Sequence, residues 1–253
     1  MEINLTGKTV LVTGGSRGIG AEISREFASA GAKIILQYNT NEEIANKVIS
    51  KLFGRGHFAI KANFENTNET EKLFKEISEK FRVDILINNA GIIEVLDPMT
   101  CSFEEWRKNW EKTISINLSS SAHLCFLFGK QMAKNGGGKI INISSRGAFR
   151  GEPNAPAYGA SKAGMNAMGQ SFAKAFGSKN VFFYTIAPGF VETDMSEKIL
   201  NSSTGVEIKA QSPLNRVAMP WEVARAALLM AAEGTDFMTG CIIDLNGASY
   251  LRT

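Results

Sequence analysis

Short runs of consecutive apolar residues alternate along this chain with segments whose apolar residues recur every third or fourth position. The first kind suits strands buried on both faces, and the second suits helices with one covered face. The runs are Lys8–Thr13, Lys33–Tyr38, Gly56–Asn63, Asp84–Asn88, Lys139–Ile143, Val181–Ile186 and Cys241–Leu245. Helical patterns cover Gly18–Ala30, where Ile19, Ile23 and Phe27 share a face, then Asn41–Phe53, Glu69–Phe81, a long stretch Phe103–Leu127, Tyr158–Phe176 and Trp221–Ala232. Strands that are apolar throughout and alternate with helices predict a parallel sheet covered on both sides, and right-handed crossovers make it doubly wound. The expected fold class is α/β, with about seven strands in one domain spanning 1–253. Gly136-Gly137-Gly138 reads as a turn between a helix and a strand. The irregular segment at about 189–213 is long for an idle loop, and is expected to be a lid.

Composition narrows the function. A chain of 253 residues with 44% apolar and 21% charged residues can build its own core without disulfides or metals. The formal charge is +3, with Lys and Arg scattered among acids, so no nucleic-acid surface is expected. The sixteen Phe are assigned to the core. Cys101, Cys125 and Cys241 are odd in number and widely spaced, which argues against a disulfide framework or a zinc site, and no metal ligand set is expected. No run approaches the ~18 apolar residues of a membrane span. The first residues lack the pattern of a signal peptide. A reducing cytoplasm is the expected location.

The first strand runs into Thr13-Gly-Gly-Ser-Arg-Gly-Ile-Gly20. Glycines at 14, 18 and 20 allow a sharp turn into a helix and close approach of a ligand. The helix N-terminus then offers N–H groups and a positive dipole end to a pyrophosphate. An acid at the end of the second strand would bind a ribose 2′-hydroxyl and favour NAD. The chain has Leu36-Gln-Tyr-Asn39 there, with no acid, and Arg17 in the glycine turn could face a 2′-phosphate. Both features favour NADP(H) over NAD(H).

Asn88-Asn-Ala-Gly91 closes the fourth strand at the carboxyl edge, where ligands bind in such sheets. Ile140-Ile-Asn-Ile-Ser-Ser145 ends the fifth strand at the same edge, and Ser145 lies thirteen residues before Tyr158. Tyr158 and Lys162 stand four apart, so on a helix they share a face. A phenol normally ionises near pH ~10, and a nearby ammonium favours its ionised form. A hydroxyl, a phenol and an ammonium could thus converge on one carbonyl.

Thr-Gly-x-x-x-Gly-x-Gly at 13–20, Asn-Asn-Ala-Gly at 88–91, Ser145, Tyr-x-x-x-Lys at 158–162 and Pro188-Gly189 occur in this order over nearly the whole chain. Together they resemble the short-chain dehydrogenase/reductase family. The resemblance implies a single Rossmann-type domain, a nicotinamide cofactor, a carbonyl or secondary-alcohol substrate, and a homotetramer or homodimer. It implies Asn117, Ser145, Tyr158 and Lys162 as the catalytic set. Tyr158 would donate the proton, Lys162 would lower its pKa and hold the nicotinamide ribose, Ser145 would orient the carbonyl, and Asn117 would hold a water that resupplies protons. It places cofactor contacts at Gly14, Ser16, Arg17, Gly18, Ile19, Gly20, Tyr38, Asn39, Asn63, Asn89, Ala90, Gly91, Tyr158, Lys162, Pro188, Gly189 and Thr193.

Ile186–Met195, Ser212–Arg216 and Thr239–Gly247 are similar to bacterial 3-oxoacyl-(acyl carrier protein) reductases. The implied substrate is a small-molecule or acyl-thioester carbonyl, with an acyl carrier protein as a partner. The chain departs from that pattern in places. Asn135-Gly136 carries no charge where a carrier protein would dock, while Lys179 keeps one. Asn63-Phe64 replaces the usual acid and small residue near adenine, and Tyr184 replaces an asparagine. Two alternatives stand beside the thioester reductase: a reductase of another ketone, sugar or steroid, and an NADP(H)-binding sensor without catalysis. The full catalytic set argues against the sensor.

Overall fold

The computed structural model describes residues 3–252. Among them a sheet of seven parallel strands forms the centre: β1 (Thr9–Val12), β2 (Lys33–Tyr38), β3 (Phe58–Lys61), β4 (Ile85–Asn88), β5 (Gly138–Ile143), β6 (Val181–Pro188) and β7 (Ile242–Leu245). Their spatial order is β3-β2-β1-β4-β5-β6-β7. The doubly wound α/β expectation holds. Successive crossovers run outward from β1 in both directions, so a crevice opens between β1 and β4 at the carboxyl edge.

Two apolar layers flank the sheet. On one face Val12, Ile87, Ile141 and Tyr184 pack with Ile23 and Phe27 of α1 (Gly18–Ser29) and Val223 and Met230 of α10 (Pro220–Ala231). On the other, Leu11, Leu86, Ile140 and Phe183 meet α3 (Asn68–Lys80), α5 (Ser120–Lys134) and α7 (Pro156–Phe176). Burial on both faces explains the apolar runs. The remaining helices are α2 (Glu42–Ile49), α4 (Phe103–Ile114), α6 (Gly147–Arg150), α8 (Asp194–Leu200) and α9 (Thr204–Ala210).

Three expectations need correction. The long stretch Phe103–Leu127 is not one regular helix: α4 passes through a π-helical turn, Ser115–Ser119, into α5, which continues to Lys134. Side chains in that turn are committed elsewhere. Ser115 Oγ donates to Phe64 O at 2.9 Å, and Asn117 bonds the backbone of Ile92. Such pulls widen a helical ladder locally. The segment 189–213 is not irregular, since α8 and α9 lie within it around a small cluster of Leu200, Ile208 and Val217. The Phe residues are not all core: Phe53, Phe103, Phe126 and Phe237 are exposed.

Cys125 is fully buried, as expected of a small core residue, and burial pushes its thiol up to about 12. Among the described residues no helix is long and apolar enough to cross a membrane, and no cluster of His, Cys, Asp and Glu could hold a metal.

Candidate active site

The turn after β1 is held by bonds that leave little freedom. Thr13 Oγ1 donates to Ile87 O at 3.2 Å and accepts the N–H groups of Asn89 and Ala90, each at 3.0 Å. Asn89 Nδ2 returns to Thr13 O at 2.9 Å and Gly14 O at 3.2 Å. Buried Gln37 accepts from Gly14 N at 2.8 Å and donates to Ala62 O at 2.7 Å. The carboxyl ends of β1, β2 and β4 are thereby tied together. Gly14 has φ of 62°, and a Cβ on Gly20 would lie 2.3 Å from Gly14 O, so the turn has no room for a side chain there.

A dinucleotide fits this turn. The Arg17 side chain does not cap α1, and the first turn of α1 holds no acid, so its N–H groups and dipole face outward for an anion. A Cβ on Gly18 would meet Thr193 Cγ2 at 3.1 Å, so the segment just before α8 lies over the turn. Arg17 and Asn39 are exposed, and Ser16, Ile19 and Ala90 are part-buried. Asn63 is exposed, with Oδ1 taken by Glu65 N at 3.0 Å, which leaves its amide N–H groups for a ligand. Tyr38 is 6% exposed and packs against the core, and its carbonyl accepts from Ala62 N.

The second half of the site lies across the crevice. Lys162, only 4% exposed, donates from Nζ to Ile143 O at 2.8 Å. A Cβ on Gly91 would sit 3.3 Å from Asn117 Oδ1 and 3.4 Å from Lys162 Nζ, so β4's end, the π turn and α7 meet at one point. Asn117 is fully buried, and its amide is spent: Oδ1 accepts from Ile92 N at 2.8 Å, and Nδ2 donates to Ile92 O at 2.9 Å and Ser161 Oγ at 3.1 Å. Its main-chain carbonyl accepts from Ser121 Oγ at 3.4 Å. Pro188 is buried at the end of β6, and Gly189 N–H donates to Leu245 O at 3.0 Å. Ser145 Oγ accepts from Gly147 N at 3.0 Å, and its hydroxyl is near enough to the Tyr158 phenol to favour the phenol's ionised form.

The electrostatics differ from expectation in one respect. Burial pushes the Tyr158 phenol above its ordinary value; the nearby Ser145 hydroxyl opposes this, and the Glu152 carboxylate adds to it. The expected downward pull of Lys162 does not prevail over this burial. Its ammonium is anchored on Ile143 O, 5.9 Å from the Tyr158 ring centre, and burial lowers its own pKa to about 8.

Sequence reasoning missed Gln37 and Glu152 and gave Thr13 no role beyond its place in the motif. Gln37 and Thr13 organise the turn from within, and no motif marks Gln37 as more than a strand residue. Glu152 approaches Ser145 and Tyr158 from the loop after α6, where a Cβ on Gly147 would lie 2.9 Å from its Oε1.

This arrangement has known counterparts. The model of the short chain dehydrogenase family matches residues 8–203. The chain belongs to that family. It is an NAD(P)-dependent oxidoreductase acting on C=O and CH–OH groups. The 3-oxoacyl-(acyl-carrier-protein) reductase of Chlamydia trachomatis is 37% identical over 246 residues, 96% of this chain and 97% of that protein. The Aquifex aeolicus protein of the same name is 34% identical over 99% of this chain and 100% of its own length. Among solved structures, a protein assigned as an NAD(P)-dependent gluconate 5-dehydrogenase from Beutenbergia cavernae, with NADP bound at low occupancy, superposes with a TM-score of 0.90 at 28% identity. That match covers 98% of this chain and 99% of the other.

Proposed function

We propose that this protein reduces the ketone of a 3-oxoacyl thioester to a secondary alcohol, with NADPH preferred over NADH. The observation that carries this reading is the convergence of Gly91, Asn117 and Lys162 beside the Ser145–Tyr158 pair, opposite a glycine turn shaped for a pyrophosphate. When bound, the nicotinamide supplies the hydride. Ser145 hydrogen-bonds the carbonyl oxygen and orients it. Tyr158 donates its proton to that oxygen as negative charge develops there. Burial raises the phenol's pKa and keeps it protonated at neutral pH, the state a proton donor needs. Lys162, titrating near pH 8, is mostly charged at neutral pH; it holds the ribose and stabilises the phenolate left by proton transfer. The Asn117 carbonyl holds the water that returns a proton.

Arg17 and Asn39, both exposed and without an acid between them in the turn and strand end, favour a 2′-phosphate. The thioester is favoured by the named activity of relatives at 34–37% identity. A sugar or sugar-acid ketone is the second reading, favoured by the gluconate dehydrogenase assignment of the superposed structure. The proposal extends to a homotetramer in the cytoplasm, a lid made of α8 and α9, and an acyl carrier protein delivering the thioester. A panel of NADPH- and NADH-oxidation assays with acetoacetyl thioesters, diketones and sugar ketones tests it. Turnover of a thioester with a kcat/KM at least tenfold higher for NADPH supports the reading. No thioester turnover rejects the substrate, and a preference for NADH rejects the cofactor.

A further inference from the structure

Arg146 follows Ser145 directly and is 3% exposed. Its guanidinium donates to Ser249 Oγ and, at 2.6 Å, to Gln211 Oε1, and it lies 5.1 Å from the centre of the Phe190 ring. All three partners are neutral. Glu152 is close enough to be felt but is paired with Arg150 at 3.3 Å. Burial and the Arg150 charge together hold Arg146 below the usual guanidinium range. Among the described residues, no acid pairs with it. A guanidinium has five donors, of which Ser249 and Gln211 take two. A buried charge is ordinarily paired with an opposite one.

Arg146 lines a cavity of about 320 Å³. Phe190, Ile208, Leu214, Val217 and Leu245 give the same cavity an apolar wall. The other charged residues of its lining are each ion-paired. Arg216 grips Glu222 with two bonds of 2.7 and 2.8 Å, and Asp244 accepts from Arg252 at 2.7 Å. Among the charged residues that line the cavity, Arg146 is therefore the one without an ionic partner, and it faces an apolar wall. The chain beside it is held in a costly shape: Ala248 has φ of 57°, and directly after it Ser249 accepts from Arg146.

We propose that this cavity is a binding site for a monocarboxylate with a short apolar body, its carboxylate on Arg146 and its body against Phe190 and Ile208. The site is distinct from the catalytic centre, since none of Asn117, Ser145, Tyr158 and Lys162 lines it. It joins three segments: Phe190 begins the lid, Gln211 follows α9, and Ser249 belongs to the C-terminal tail. A carboxylate there ties lid and tail to the residue after Ser145. The inference does not depend on which carbonyl is reduced.

The test uses the full-length protein saturated with NADP⁺, which removes the pyrophosphate turn as a competing anion site. Hexanoate is titrated while thermal unfolding is followed, with hexan-1-ol and hexylamine as controls. A ligand that binds only the folded state raises Tm with concentration. The expected result is a saturable rise with hexanoate and none with the alcohol or the amine. Arg146→Gln should weaken hexanoate binding at least tenfold. Leu214→Asp, at a position 60% exposed on the rim, should weaken it through repulsion without disturbing the core. If Arg146→Gln does not fold, Leu214→Asp decides. No hexanoate-specific rise in the wild type, or less than a tenfold weakening in Arg146→Gln, or unchanged binding in Leu214→Asp, would overturn the site.

Discussion

The two sides of the crevice are built on opposite principles. On the β1 side, Thr13, Gln37 and Asn89 satisfy one another and the backbone around the glycine turn. On the β5–α7 side, Lys162 and Tyr158 are both held away from their ordinary pKa values by burial. The first side is a rigid mould whose shape is complete before a ligand arrives. The second buries an ammonium at a cost to the fold, a pattern common at functional sites. The difference teaches where a substitution should harm the fold and where it should relieve it.

Lys162→Met is expected to separate the two most widely. Activity should fall by roughly 10² or more, since an electrostatic partner of the reacting phenol is lost. Stability should rise. Burial lowers the pKa from 10.5 to about 8, and each unit is worth ~1.4 kcal/mol, so the charged amine costs the fold about 3 kcal/mol. That cost is fully present below pH 8, shrinks from there, and is gone above about 10.5. The lost bond to Ile143 O returns roughly 1 kcal/mol. Thermal unfolding without cofactor should show the Lys162→Met variant more stable than wild type at pH 7, with the gain vanishing at high pH. A destabilised variant at pH 7 would break the contrast.

Gly20→Ala probes the mould. The new Cβ would lie 2.3 Å from Gly14 O and 2.5 Å from Asn89 Nδ2. The turn must shift, costing about 1–3 kcal/mol and lowering Tm by roughly 2–4 °C per kcal/mol. NADPH affinity should fall roughly tenfold, read by fluorescence titration. Unchanged affinity would show that the mould is softer than its bonds imply.

Glu152→Gln should have the smallest effect. The carboxylate raises the Tyr158 pKa, so its removal lets that pKa fall. In a reduction, activity is lost as pH rises through the acid's pKa, so the alkaline limb of kcat/KM should move to lower pH. At neutral pH the rate should stay within about threefold of wild type. A limb that moves upward, or not at all, would remove Glu152 from the site.

The same contrast governs what could be read without coordinates. Strands buried on both faces are apolar throughout, so the sheet was visible in the pattern. The glycines of the turn and the Tyr158–Lys162 spacing are local and equally visible. What was hidden depends on partners far along the chain. The π turn exists because Ser115 reaches Phe64 and Asn117 reaches Ile92. Tyr38 ends a strand covered on both sides, so alternation does not say which way its ring points. Nothing in the sequence around Arg146 shows that Gln211, just after α9, and Ser249 of the tail close over it.

The central claim is that Tyr158 protonates the carbonyl as hydride arrives, on a side of the crevice separate from the cofactor mould. Tyr158→Phe tests it most directly, with NADPH oxidation on an acetoacetyl thioester measured beside NADPH binding. Turnover should fall by roughly 10²–10⁴ while NADPH affinity stays within about twofold of wild type. Near-normal turnover, or a loss of NADPH binding as large as the loss of rate, would contradict the account.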